Sequence, residues 1–565
     1  MWRFKGVLFL ACVLFGMAAQ AQDAAKAWDA FTAQFIEEHI RLNPDSAVYE
    51  GRHEFDGQLP NFSRAGLEKP LAFYRSTHAA ALKFDPAQLD TPRQIEHESL
   101  LARCEREIFY YEEVEAPFKN PAYYTGAFGP DVYLTREYAP LEQRLAAYIK
   151  HMHAVAAAVP HMKANVRTPI PRPFLNLARM MAGGLVEFIE ADVPGIFAPV
   201  KDDALQAQLK EANATAVAAL KEADTWLAGE EPKANEDFAM GAERYQKMLW
   251  VTERIDLPLA RFKEIADADL NRNLKDLEAA CKAYDPGKSI AACVAEVNAA
   301  KADGGPVATA TAQLPGLKKF LLDNEIVSIP GTQEALVGEA PPYKRWNSAY
   351  IEIPGPYEKN LPSVYYIAPP DPKWSPQEQL DYIPGEAGLL NTTVHEVWPG
   401  HFLHFLHAQR AESMFNRLFV GYAFSEGWAH YTEEMMVEAG LAEKNPALRI
   451  AQILDALLRD VRYLSSIGLH TEGMTVEESE TMFREKAWQD AGNARQQAAR
   501  GTFDPQYYSY TVGKLMILKL REDWTASRGG RKAWKEFHDT LLSYGGPPLV
   551  LVRKAMLGPD AGPPL

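Results

Sequence analysis

Apolar residues recur at three- and four-residue steps along most of this chain, the spacing of one face of an α-helix. Between residues 27 and 158 the pattern is clearest in Trp28–Ile40 and Ile95–Arg103. It resumes in Leu205–Trp226 and Tyr245–Leu277, where Pro232, Pro258 and Pro286 punctuate amphipathic or charged helices whose Glu and Lys residues read as solvated faces. Leu457–His470 and Arg531–Leu542 predict two more helices. Elsewhere the pattern breaks. Pro117–Leu134, rich in aromatic, Pro and Gly residues, reads as a long loop able to line a cleft, and 305–345 as a Gly/Pro-rich bridge between parts of the molecule. Ser363–Ala368, β-branched and aromatic between Pro362 and Pro369, predicts a short strand.

A different pattern opens the chain. Gly6–Ala18 is apolar, follows Arg3 and Lys5, and precedes Ala19-Gln20-Ala21, a small-x-small cleavage site. Residues 1–21 therefore predict a signal peptide and 22–565 a single secreted or periplasmic unit. Leu10-Ala11-Cys12 is a competing lipoprotein signal, disfavoured because Cys12 would truncate the apolar run. No later stretch reaches the roughly 20 consecutive apolar residues of a membrane span.

Charge narrows the partners. The formal charge is −16, and loss of the leader removes Arg3 and Lys5 but no acid, giving −18. That charge argues against nucleic acid and anionic membrane as partners. Three cysteines remain beyond the leader, Cys104, Cys281 and Cys293. Export permits a disulfide, and Cys281 and Cys293 flank the turn-like Tyr284-Asp-Pro-Gly, whereas the odd count and lack of a C-x-x-C pair argue against a cysteine metal site.

The chemistry concentrates at Thr393–His404, where His395, Glu396 and His401 fall within seven residues. In the zinc-peptidase signature H-E-x-x-H, two His one turn apart bind the metal and the Glu is the general base. Here the second His comes two residues late, and six residues place the two about 120° apart on an ideal helix. Pro399 lacks an N–H and Gly400 tolerates unusual dihedrals, so Pro-Gly can open a bulge that restores the geometry. His404 and His407 stay open as alternative ligands. Ser425–Glu434 offers a third ligand in Glu426, with His430, Glu433 and Glu434 at helical offsets from it. A His-His-Glu set leaves a fourth position for water, as a catalytic zinc requires.

These residues resemble a known family, the bacterial DUF885 proteins, whose hallmarks are His-Glu-x-x-Pro-Gly-His and Glu-Gly-Trp-Ala-x-Tyr-x-Glu; both stand here, as His395–His401 and Glu426–Glu433. The resemblance implies a branch similar to the mainly helical gluzincin peptidases: a mainly α, large two-lobed zincin-like fold with a small β-sheet beside the active-site helix. It further implies one Zn²⁺ per chain held by His395, His401 and Glu426, with Glu433 orienting a ligand imidazole.

The remaining candidates follow. Zinc peptidases commonly lay substrate backbone along an edge strand, which makes Tyr365 and Tyr366 candidates for the cleft wall. His470, at a Gly-Leu-His helix end that faces the site in the family, is a candidate oxyanion or substrate donor, and Arg462 a partner for a carboxylate. Ser466-Ile467 stands where the family often has Asp-Thr, and His404 where it usually has Gln. Tyr510 is the first choice of oxyanion donor and Tyr507 the second, although Thr511 replaces the family's Lys. Lys514 is a candidate anchor for a substrate C-terminus, and His538 reads as a surface residue.

The expected activity is zinc-assisted hydrolysis of short peptides with Glu396 as base. Two other readings stay open: a zinc amidase acting on non-standard or cell-wall amides, and a non-catalytic peptide-binding protein of the same fold.

Overall fold

The computed structural model describes residues 4–345 and 347–565, which are mainly helical with one small three-stranded sheet. Of the expected leader, 1–3 lie outside the described residues, and the helix Phe4–Leu42 runs through the rest. No helix among the described residues is long and apolar enough to cross a membrane.

The periodic segments form helices with chemically legible ends. Thr91–Glu112 and Asp203–Glu230 begin where the Asp90 and Asp202 carboxylates accept backbone N–H groups. The charged stretch after Tyr245 divides at Pro258 into Ala242–Glu253 and Leu259–Tyr284. Two expected loops are corrected. Pro306–Asp323 is a helix, with Pro306 in the first turn where its missing N–H costs nothing. Pro117–Leu134 is largely short helices whose Tyr124, Phe128, Val132 and Tyr133 are buried in an apolar cluster, so they pack rather than line a cleft.

Buried apolar side chains gather in one cluster near the N-terminus, a second spanning 48–227, and a third built mainly from residues beyond 240. A disulfide joins Cys281 to Cys293, and Cys104 is a buried free thiol.

The sheet comprises β1 (Ala335–Glu339), β2 (Ala349–Glu352) and β3 (Ser363–Ile367) in the order β1-β3-β2, with β1 parallel and β2 antiparallel to β3. The predicted strand is therefore central, paired on both sides, and the edges are β1 and β2. Side chains alternate across a strand, so Tyr365 and Tyr366 cannot share a wall. Tyr365 points inward and is fully buried, while Tyr366 packs against Tyr350 on the other face, with ring centres 5.3 Å apart.

The helices that build the site are α1 (Glu386–Glu396), α2 (His401–Ala408), α3 (Tyr422–Glu438), α4 (Pro446–Ile467), α5 (Ala491–Phe503) and α6 (Ser509–Thr525). Helices α3 and α6 meet backbone to backbone at Gly427 and Gly513. A Cβ on Gly427 would lie 2.4 Å from the Gly513 Cα, so no side chain fits there.

Candidate metal centre

His395 is the penultimate residue of α1 and His401 the first of α2. The chain absorbs the stretched spacing by ending one helix and starting another, rather than by the bulge expected within a single helix. Gly400 makes the turn possible, since a Cβ there would lie 1.6 Å from the His395 carbonyl oxygen. Its N–H donates to the Val394 carbonyl at 3.0 Å, and the Trp428 indole donates to the Pro399 carbonyl at 2.8 Å. The two imidazole centres end 4.8 Å apart.

Glu426 enters from α3. Its Oε2 lies 3.4 Å from His395 Nε2 and 3.2 Å from His401 Nε2, and the three donor atoms lie within 4.8 Å of one another. Ligands about 2.1 Å from a tetrahedral zinc stand roughly 3.4 Å apart, so this donor set fits the ion in spacing as well as chemistry. The buried Glu396 Oε2 beside it has no hydrogen-bond donor among the described residues. Glu433 Oε1 is 2.7 Å from His395 Nδ1, and Ser425 Oγ is 3.2 Å from His401 Nδ1. Burial works against charge on His395, but hydrogen bonds with Glu426 and Glu433 raise its pKa to about 9. Burial raises the Glu396 carboxyl. It works the same way on Glu433, but Arg459 and the neighbouring histidines hold that carboxyl well below its ordinary value.

The three donors and Glu396 line a cavity of about 540 Å³. A second cavity, of about 320 Å³, shares Phe405, Ser425 and Glu426 with the first.

A family model matches residues 44–556. The chain belongs to the family described as bacterial protein of unknown function (DUF885). Two solved structures share the fold. One, from Shewanella oneidensis, is described as "a putative lipoprotein of unknown function"; it is 23% identical with a TM-score of 0.75, covering 94% of this chain and 99% of that one. The other, "the putative lipoprotein from Colwellia psychrerythraea", is 16% identical with a TM-score of 0.78, covering 94% and 98%. No curated protein matches significantly.

The cavity of this DUF885 chain takes in some of the predicted residues. Tyr365, Arg462 and Tyr510 line it. The Tyr510 ring lies 6.2 Å from that of His395, and its hydroxyl receives a 3.3 Å hydrogen bond from Arg500. Other candidates are corrected. His470 is buried away from the cavity, with Nε2 on the Gly501 carbonyl at 2.8 Å and Nδ1 facing the Met240 N–H. Lys514 is fully buried in an ion network with Asp269 at 2.8 Å and Glu434 at 3.6 Å, so it cannot meet substrate. The Tyr507 hydroxyl bonds Ser465. His404 and His407 lie outside the cluster of donor atoms, and their Nε2 atoms face the Gly545 and Ser328 carbonyls. His538 is buried between Tyr431 and the Ile326 carbonyl.

Sequence reasoning missed the polar frame behind His395. Asn391 donates to Glu433 at 3.0 Å and to Asp455 at 2.6 Å, and Arg459 lies 3.0 Å from Asp455 and 3.4 Å from Glu433. The signal was present as Asp455, Arg459 and Arg462, polar residues at helical spacing on one helix.

Proposed function

We propose that this DUF885 protein is a zinc-dependent hydrolase of amide bonds, with short peptides as its natural substrates. The observation that carries the reading is the triangle of His395, His401 and Glu426, spaced for one ion, facing a cavity and adjoined by Glu396, whose Oε2 has no hydrogen-bond partner among the described residues. Resemblance to gluzincin peptidases supports the same chemistry and a two-lobed zincin-like layout.

When bound, zinc would supply Lewis acidity, lowering the pKa of water toward about 7 and polarising a carbonyl. Glu396 takes the proton from the attacking water and returns it to the leaving amine. Glu433 holds His395 with Nε2 toward the centre. Tyr510, on the cavity wall beside His395, is placed to donate a hydrogen bond to the oxyanion. His470 drops out of this role.

Both structural neighbours are described as lipoproteins, which supports an exported, envelope-associated protein. The expectation against lipidation at Cys12 is not carried forward.

Elemental analysis of the purified protein tests the reading. About one zinc per chain, lost in His395→Ala, His401→Ala and Glu426→Ala, is the expected result. Glu396→Gln should keep the metal and lose about 10²–10⁴ in hydrolytic rate. Wild type without zinc, or Glu396→Gln at full activity, would overturn it. Zinc retained beside full binding and no hydrolysis would favour the peptide-binding alternative, and cleavage of cell-wall fragments but not peptides the amidase.

A further inference from the structure

Two guanidinium groups line the main cavity among the described residues, Arg459 and Arg462. Arg459 is neutralised by Glu433 and Asp455. Arg462, one turn further along α4 and 5% exposed, has no carboxylate within ion-pair distance among the described residues. Its Nε donates to Gln497 Oε1 at 2.8 Å, and Gln497 is itself fixed by Asn493 at 3.2 Å. The guanidinium lies over the Tyr510 ring, 4.7 Å from its centre. Its position is thus set by α5 and α6, while its terminal nitrogens have no acceptor among the described residues.

A buried cation without a counter-ion costs several kcal/mol unless something else supplies the charge. Burial and the nearby Arg500 and Arg459 lower the Arg462 pKa, the opposite of what a resident carboxylate would do. Cations around the second cavity differ, since Arg103 and Arg106 both pair with Glu107. The planar fork of Arg462 is the donor set that a carboxylate satisfies bidentately.

We propose that Arg462 docks the free C-terminal carboxylate of a peptide, so that cleavage releases one or two residues from that end. The proposal rests on the hydrolase reading for the cleavage and on Arg462 alone for the docking. The guanidinium is no more than about 11 Å from the His395 ring by way of Tyr510. An extended peptide advances about 3.4 Å per residue, so this ceiling admits at most about three residues between scissile bond and carboxylate, and fewer once the contact distances at each end are subtracted. The amide C–N bond then breaks as water adds its hydroxyl to the acyl carbon and a proton to the released amine.

The test separates docking from catalysis. An N-acetylated tripeptide and its C-terminal amide are titrated calorimetrically into zinc-loaded Glu396→Gln protein. The acid should bind about 10–100-fold tighter than the amide. Adding Arg462→Met should bring the two affinities together, whereas Arg462→Lys should keep part of the preference. Melting temperature and zinc content establish that each variant is folded. Equal binding of acid and amide to the parent, a preference that survives in Arg462→Met, or equally tight binding of an amidated peptide with an internal Glu would overturn the proposal. In wild type, mass spectrometry of an octapeptide digest should show one- or two-residue C-terminal fragments; mid-chain cuts would overturn it. If no peptide is cleaved while the acid preference persists, the hydrolase reading fails and the docking site stands.

Discussion

His395 Nδ1 lies 2.7 Å from Glu433 Oε1, and this contact decides which ring nitrogen faces the cavity. With Nδ1 committed to the carboxylate, Nε2 is the ring nitrogen aimed at the same point as His401 and Glu426. Glu433→Gln preserves the shape but removes the charge, and zinc affinity should fall about 10–100-fold, read by competition with a chelator. Glu433→Ala should in addition lower the melting temperature, because Arg459 loses one of its two carboxylates. An affinity unchanged in Glu433→Gln would remove this residue from the centre.

Gly400 tests the helix break. With its Cβ 1.6 Å from the His395 carbonyl oxygen, Gly400→Ala cannot keep the turn that brings His401 to His395. Overpacking of this kind costs about 1–3 kcal/mol or more. Zinc content should fall toward zero and the melting temperature by several degrees. Full zinc occupancy in Gly400→Ala would show that the turn is not what sets the spacing.

The two motifs made most of the site legible. His395, Glu396, His401, Glu426 and Glu433 lie within two short stretches, and the Pro399-Gly400 insertion announced its own accommodation. What could not be read was the means, two helices instead of one. Side-chain direction was also hidden: Tyr365 and Tyr366 are neighbours in sequence but opposed across β3, and His470 and Lys514 are spent on internal partners that lie 31 and 245 residues away. Long-range polar pairing leaves no local pattern. The helix at 306–323 was missed because Pro and Gly count against a helix by composition, whereas Pro306 in the first turn favours one. Gly427 and Gly513 show the converse. Each looks incidental alone, yet their contact holds Glu426 and Tyr510 on adjoining helices at one cavity.

Lys514 belongs to stability rather than substrate. It and Arg272 offset the buried carboxylates of Asp269 and Glu434. Lys514→Met strands that negative charge, and breaking a buried pair from one side costs about 3–5 kcal/mol. Denaturant unfolding should show a loss of this size, with KM for a free-acid peptide unchanged in the folded protein. A raised KM with unchanged stability would restore Lys514 as a substrate anchor.

Glu253 carries a pH prediction away from the metal ligands. Its Oε1 accepts the Ala423 N–H at 3.0 Å, at the start of the helix bearing Glu426, and its Oε2 is buried without a donor. Burial raises the carboxyl from an ordinary 4.5 to about 7, outweighing the Ala423 hydrogen bond and the pull of Arg106. The folded pKa therefore exceeds the unfolded one. Folding then binds a proton between these values, so this group's contribution is intact below pH 4.5 and is lost as pH rises through 7. Glu253→Gln keeps the acceptor and removes the titration. At pH 8 the variant should be more stable than wild type by about 1–3 kcal/mol, and at pH 4.5 the difference should shrink to less than about 1 kcal/mol. Denaturant curves at the two pH values measure this, and a difference independent of pH would mean that the Glu253 carboxyl titrates alike in the folded and unfolded protein.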